Sequence, residues 1–255
     1  MQLFLVAILA LIFGSFASFV TYRLGVNQTL LAAHSICTNC KNKLKIKNLI
    51  PLFSYLFQKG KCSFCEEKIS SRYFLIELSF LISFLTIFFA LNSQINLTFI
   101  LYLVITAILL CMIIIDLEHY FIPNSLQYFL AFFAIILLLS FKKEGLVLAN
   151  IKAGFIYLLF AIFLKIFFYF LAKVDALGID DVKFFFIAGL VLGEKNFLTF
   201  AILSGIFGVI FGAIWQKLKN DETFPFAPAI CTSCFVTMIF GKKINIVDLF
   251  GVIFF

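Results

Sequence analysis

Apolar residues in this chain fall in long blocks, with neither the alternation of a half-buried strand nor the narrow stripe of a soluble amphipathic helix. The blocks are Leu3–Val20, Tyr73–Leu91, Leu97–Ile115, Asn124–Phe141, Ile151–Ala172, Phe184–Gly193, Phe197–Trp215 and Ala227–Phe240. A helix of about 20 apolar residues crosses a bilayer core about 30 Å thick. Only helices and closed barrels satisfy their own backbone in lipid, so each block predicts a helix. Phe184–Gly193 is short for a span. It either begins earlier, with Asp181 in its first turn, or is a partial helix buried in the bundle. The pattern predicts an all-α polytopic membrane protein of about eight transmembrane helices, with both termini on the same side. The apolar tail, Ile244–Phe255, either extends the last span or lies in the interface. No internal repeat is visible.

Composition sharpens this. The chain is 64% hydrophobic and only 13% charged, with a mean hydropathy of +1.13. Soluble domains carry about 25% charged residues. The net charge of +7 points to basic cytoplasmic loops and a lipid bilayer as partner, not to nucleic acid. One long polar stretch, Arg23 to Arg72, holds nine Lys/Arg and two acids, Glu66 and Glu67. The positive-inside rule makes it cytoplasmic and puts the N-terminus outside. Lys142, Lys143 and Glu144 then fall outside, against the charge bias. The first block has no basic residue before it and no small-x-small site after it, so it is expected to stay as a helix. The division expected is a first transmembrane helix over 1–22, a cytoplasmic loop over 23–72 and a membrane core over 73–255.

Four of the seven cysteines lie in that loop: Cys37-x2-Cys40, 21 residues, then Cys62-x2-Cys65. Two such pairs in a reducing compartment can close a tetrahedral Zn²⁺ site. Four thiolates would fill the metal, so its expected role is to fold the loop. Cys231-x2-Cys234 and Cys111 lie inside apolar blocks and read as small packing residues.

The candidate chemistry lies at two block ends. Asp116 follows Leu97–Ile115, and Asp175, Asp180 and Asp181 follow Ile151–Ala172. Two spans separate Asp116 from Asp181, so both return to the cytoplasmic face. Two carboxylates sharing a partly desolvated site do not both ionise easily. One can then act as base on a water while the other protonates a peptide carbonyl. The plainer alternative leaves both acids in headgroup water or paired with Lys173 and Lys183. No Ser/His/Asp set competes. His119 is placed to tune Asp116 or simply to sit at the interface. Glu77 is either a buried functional acid or a charge at a helix start. Lys165 is expected to snorkel.

These residues carry a resemblance. Gly14-Ser-Phe-Ala-Ser-Phe-Val-Thr-Tyr-Arg23, the loop Cys37 to Cys65 with Lys47-Asn-Leu-Ile-Pro51 and Gly60-Lys-Cys62, and Ser71-Arg-Tyr73 with Glu77 are similar to the prepilin peptidases, or type IV leader peptidases. So are Ile115-Asp-Leu-Glu-His-Tyr-Phe-Ile-Pro123, Gly178-Ile-Asp-Asp-Val-Lys183 and Phe224-Pro-Phe-Ala-Pro228. Four positions depart from the family pattern: Ser18, where the family commonly has Asn; Asn124, where an Asp often follows the Pro; Asp180, where the signature has a second Gly; and Ala227, where it has Gly. The resemblance implies a multi-pass aspartyl endopeptidase of the bacterial inner membrane, with Asp116 and Asp181 catalytic. It would remove the basic leader of prepilins or pseudopilins at the cytoplasmic face. It implies a structural Zn²⁺ on Cys37, Cys40, Cys62 and Cys65, and N-methylation of the new terminus from S-adenosylmethionine. The rival reading is an ion transporter or channel with a zinc-stabilised loop. It would place the acids near the bilayer midplane, whereas here they map to block ends.

Overall fold

In the computed structural model, residues 1–26, 39–43, 48, 50–141, 145–173, 177–219 and 224–241 are described. The helices are α1 Gln2–Gly25, α2 Phe53–Phe57, α3 Ser71–Ala90, α4 Leu97–His119, α5 Asn124–Ser140, α6 Leu146–Ala172, α7 Ile179–Leu192, α8 Phe197–Lys219 and α9 Ala227–Phe240. A 3₁₀ turn, Glu194–Asn196, leads into α8. Among the described residues there is no strand, only an isolated Lys61–Lys68 bridge. Five helices are long and apolar enough to cross a membrane: α1, α3, α4, α6 and α8 with its leading turn. α5 and α9 are apolar but shorter, and α7 has 14 residues.

Each of the eight apolar blocks carries a helix. The bounds differ most where a polar side chain interrupts a helix that continues through it. α6 begins at Leu146 instead of Ile151, through Asn150. α7 begins at Ile179, the earlier start that puts Asp181 in its first turn, together with Asp180. Asp there is favoured by the positive end of the helix dipole. Residues 142–144 and the tail from Ile244 lie outside the described residues.

The chain forms two compact units, Met1–Gln94 and Ile95–Phe255. In the first, α1 lies against α3. A Cβ on Gly14 would stand 2.9 Å from the Glu77 Cα, so only glycine permits that approach. Arg72, at the start of α3, donates to the Ser18 carbonyl at 3.3 Å and to the Thr21 hydroxyl at 2.9 Å, tying the same two helices.

In the second unit α7 is gripped along its length by α6. Asn150 Nδ2 donates to the Leu190 carbonyl at 2.8 Å, and the Tyr157 hydroxyl donates to the Gly193 carbonyl at 3.1 Å. Between them the backbones nearly touch: a Cβ on Gly189 would meet the Gly154 Cα at 2.7 Å. Close backbone approach at small residues is how helices associate in lipid, where burial of apolar surface gives no net drive. Gly189→Val is therefore expected to destabilise this unit by about 2 kcal/mol or more. Membrane-fraction abundance and melting in detergent check this, and unchanged values for both would rule it out.

Candidate active site

Asp116 stands in the last turn of α4 and is only 5% exposed. The chain leaves α4 through Tyr120 at φ 59°, whose N–H closes onto the Asp116 carbonyl at 2.9 Å. Pro123, with φ −60° and ψ 129°, then starts α5. The Asp116 carboxylate accepts the Ala227 N–H at 2.9 Å. Ala227 is the first residue of α9, and Pro228 follows it. First-turn amides have no partner within their own helix, and they form a ready anion site. The Phe224-Pro-Phe-Ala-Pro228 stretch thus supplies a backbone donor to the acid.

Asp181 sits in the first turn of α7, where its Oδ2 accepts the Gly178 N–H at 3.2 Å. Asp181 lies close enough to Asp116 to feel its charge. Cys231, fully buried one turn into α9, lies within reach of both charges. Its burial fits a packing role. Its place beside both aspartates has no signal in a sequence that offers only an apolar helix there.

Asp180 adopts the helical conformation and is not among the residues with positive φ. Replacing the family's glycine there therefore imposes no backbone strain. Its carboxylate pairs with Lys183 at 3.0 Å, and its charge also reaches Asp116. Asp175 lies outside the described residues. Lys165 Nζ donates to the Leu177 carbonyl at 2.6 Å, and its charge acts on Asp181.

Glu77 lies past the first turn of α3, a buried acid and not a helix-start charge. It is 9% exposed, and its Oε2 accepts the Leu52 N–H at 2.7 Å. Leu52 has φ 59° and ψ −51°, and the Phe53 N–H closes onto the Pro51 carbonyl at 2.7 Å. That is a positive-φ γ-turn, a strained conformation that persists only when its surroundings hold it. His119 packs its ring near Phe121.

The thiols Cys40, Cys62 and Cys65 converge, with their Sγ atoms all within 4.8 Å of one another. None is in a disulfide. A hairpin presents the second pair: the Ile69 N–H donates to the Gly60 carbonyl at 2.7 Å and the Cys62 N–H to the Glu67 carbonyl at 2.8 Å. Gly60, at φ 66°, leaves room for the Tyr55 ring, whose hydroxyl a Cβ would meet at 3.0 Å. Three clustered thiols in thiolate geometry fit a soft divalent ion such as Zn²⁺. Cys37 lies outside the described residues.

With five candidate membrane spans among its described residues, the chain is a multi-pass membrane protein. Two family models match it: the Bacterial Peptidase A24 N-terminal domain over residues 8–91, and the Type IV leader peptidase family over residues 103–213. A Bacillus subtilis relative named prepilin leader peptidase/N-methyltransferase is 31% identical over 242 residues, covering 93% of this chain and 94% of its own. A Vibrio cholerae relative of the same name is 31% identical over 255 residues, covering 95% and 98%. A Legionella pneumophila relative, also so named, is 28% identical and covers 86% and 76%. No solved structure matches. The chain belongs to the type IV leader peptidase family.

Proposed function

We propose that this protein is a membrane aspartyl endopeptidase that removes the basic leader from type IV prepilins or pseudopilins and N-methylates the new first residue. The observation that carries the reading is the convergence of Asp116, on α4, and Asp181, on α7, from turns 65 residues apart in the chain, each held by a backbone N–H. Two carboxylates this close share a proton. The ionised one takes a proton from an attacking water, while the protonated one donates to the carbonyl oxygen of the scissile peptide. The substrate helix lies in the bilayer with its leader in the cytoplasm, which brings the scissile bond to the membrane rim. About eight helices then form the membrane domain, residues 23–72 form a cytoplasmic loop, and the protein sits in the bacterial inner membrane.

Cys40, Cys62 and Cys65, with Cys37 as the fourth ligand, would hold a structural Zn²⁺ that stiffens this loop. The loop is tied to the methyl transfer, for which S-adenosylmethionine is the donor. No residue is assigned to hold that donor. The test is co-expression with a candidate prepilin, followed by intact-mass analysis of its N-terminus. The expected product lacks the leader and carries one added methyl group. An uncut prepilin in membranes that contain the protein would refute the reading.

A further inference from the structure

Around Asp181 the first turn of α7 is fastened to α5 by three side chains that the paired-acid mechanism does not use. Lys183 Nζ donates to Asn124 Oδ1 at 2.9 Å and to Asp180 Oδ1 at 3.0 Å. Gln127 Nε2 donates to the Asp180 carbonyl at 3.1 Å. Asn124 and Gln127 are three residues apart on α5, so they share a face. Gln127 is 2% exposed. A buried amide on an otherwise apolar helix is costly unless its hydrogen bonds are made. Here its Nε2 secures a backbone carbonyl beside Asp181, while its Oε1 has no hydrogen-bond partner among the described residues. The ties therefore bracket Asp181, gripping the residue before it and the residue two after it.

The Lys183–Asp180 pair is substantially solvent-exposed, with side-chain exposures of 47% and 36%. Exposed ion pairs add little to stability, so its value lies in orientation. Lys183 touches one carboxylate and one amide, and the two are near-isosteric. Either position, 124 or 180, can thus present the anion to the same ammonium. These are also two of the four positions where the chain departs from the family pattern.

We infer that Asn124, Gln127, Asp180 and Lys183 form a positioning clasp that sets Asp181 against Asp116, and that the carboxylate within it is exchangeable between positions 124 and 180. Asp180 is then a positioning residue and not a third catalytic acid. The inference rests on the peptidase reading. Displacing a catalytic group by a fraction of an ångström costs rate more than substrate binding.

The test is prepilin cleavage kinetics with the full-length protein in membranes, normalised to membrane-fraction amount. Asp180→Asn is expected to lower kcat about tenfold with KM within about twofold. Asn124→Asp combined with Asp180→Asn is expected to restore kcat to within about twofold of wild type, because the carboxylate has moved across the clasp. Lys183→Met is expected to lose about as much as Asp180→Asn, and Asn124→Asp does not rescue it. Wild-type kcat in Asp180→Asn, or a double variant no faster than the single, overturns the clasp. Poor insertion of the single variant is covered by the double, whose rescue is read per molecule inserted. Failure of the wild-type protein to cleave is a different result: it removes the peptidase reading and the clasp's catalytic role with it.

Discussion

Asp116→Asn is expected to abolish leader cleavage while leaving the protein in the membrane in normal amount. Asparagine keeps a side-chain oxygen that can still accept the Ala227 N–H, so the tie between α4 and α9 survives. What is lost is the exchangeable proton. General acid–base catalysis contributes about 10²–10⁴-fold, so cleavage should fall by at least about a hundredfold. Asp181→Asn should do the same. The double variant should be no slower than either single, because groups that act as one unit are not additive. The rate should also fall at both ends of the pH range. In acid both carboxyls are protonated and no base remains. In alkali both are ionised and no acid remains. Pulse labelling of a prepilin with membrane fractions measures all of this. Cleavage by Asp116→Asn within tenfold of wild type would sink the mechanism.

Stripping metal from the cysteine cluster should separate the two proposed activities. Cys62 is buried at the base of its hairpin, and its thiol is one of three within 4.8 Å of one another. Cys62→Ser, or chelation checked by metal analysis, should reduce the methylated fraction of mature substrate about tenfold or more. Cleavage at Asp116 and Asp181 should persist, since no thiol of the cluster enters that chemistry. Intact-mass analysis reads both outcomes on one sample. Normal methylation after verified metal loss would rule out the cluster's role.

The eight helices were legible because lipid demands long apolar runs, and such runs show without an alignment. Their ends were less legible. Counting stops at the first polar residue, while the helix continues if that residue has a partner or suits the dipole. Asn150 is the clear case, whereas the earlier start through Asp181 was one of the two readings the sequence allowed. The acids were legible as charges at block ends. What surrounds them was not, because much of it is backbone. The amide of Ala227 shows only indirectly, as a helix start flanked by prolines. The partner of Lys165 was hidden for a related reason, since it is the backbone carbonyl of Leu177. The partner of Glu77 was equally hidden, an N–H 25 residues back in the chain.

That N–H has a consequence for how the metal loop behaves. The Leu52–Glu77 bond closes the chain around the hairpin bearing Cys62 and Cys65 with no ion involved, and it does so at a γ-turn that would relax if released. Metal coordination therefore closes a loop already partly closed, and closure entropy depends only weakly on length. Demetallation should leave a tethered loop: thiols freed at the tip, root still bound to α3. Glu77→Gln weakens that root instead. The metal and the glutamate thus act as two separate latches on one segment, so the loop can lose its ion and regain it without first having to find its place again.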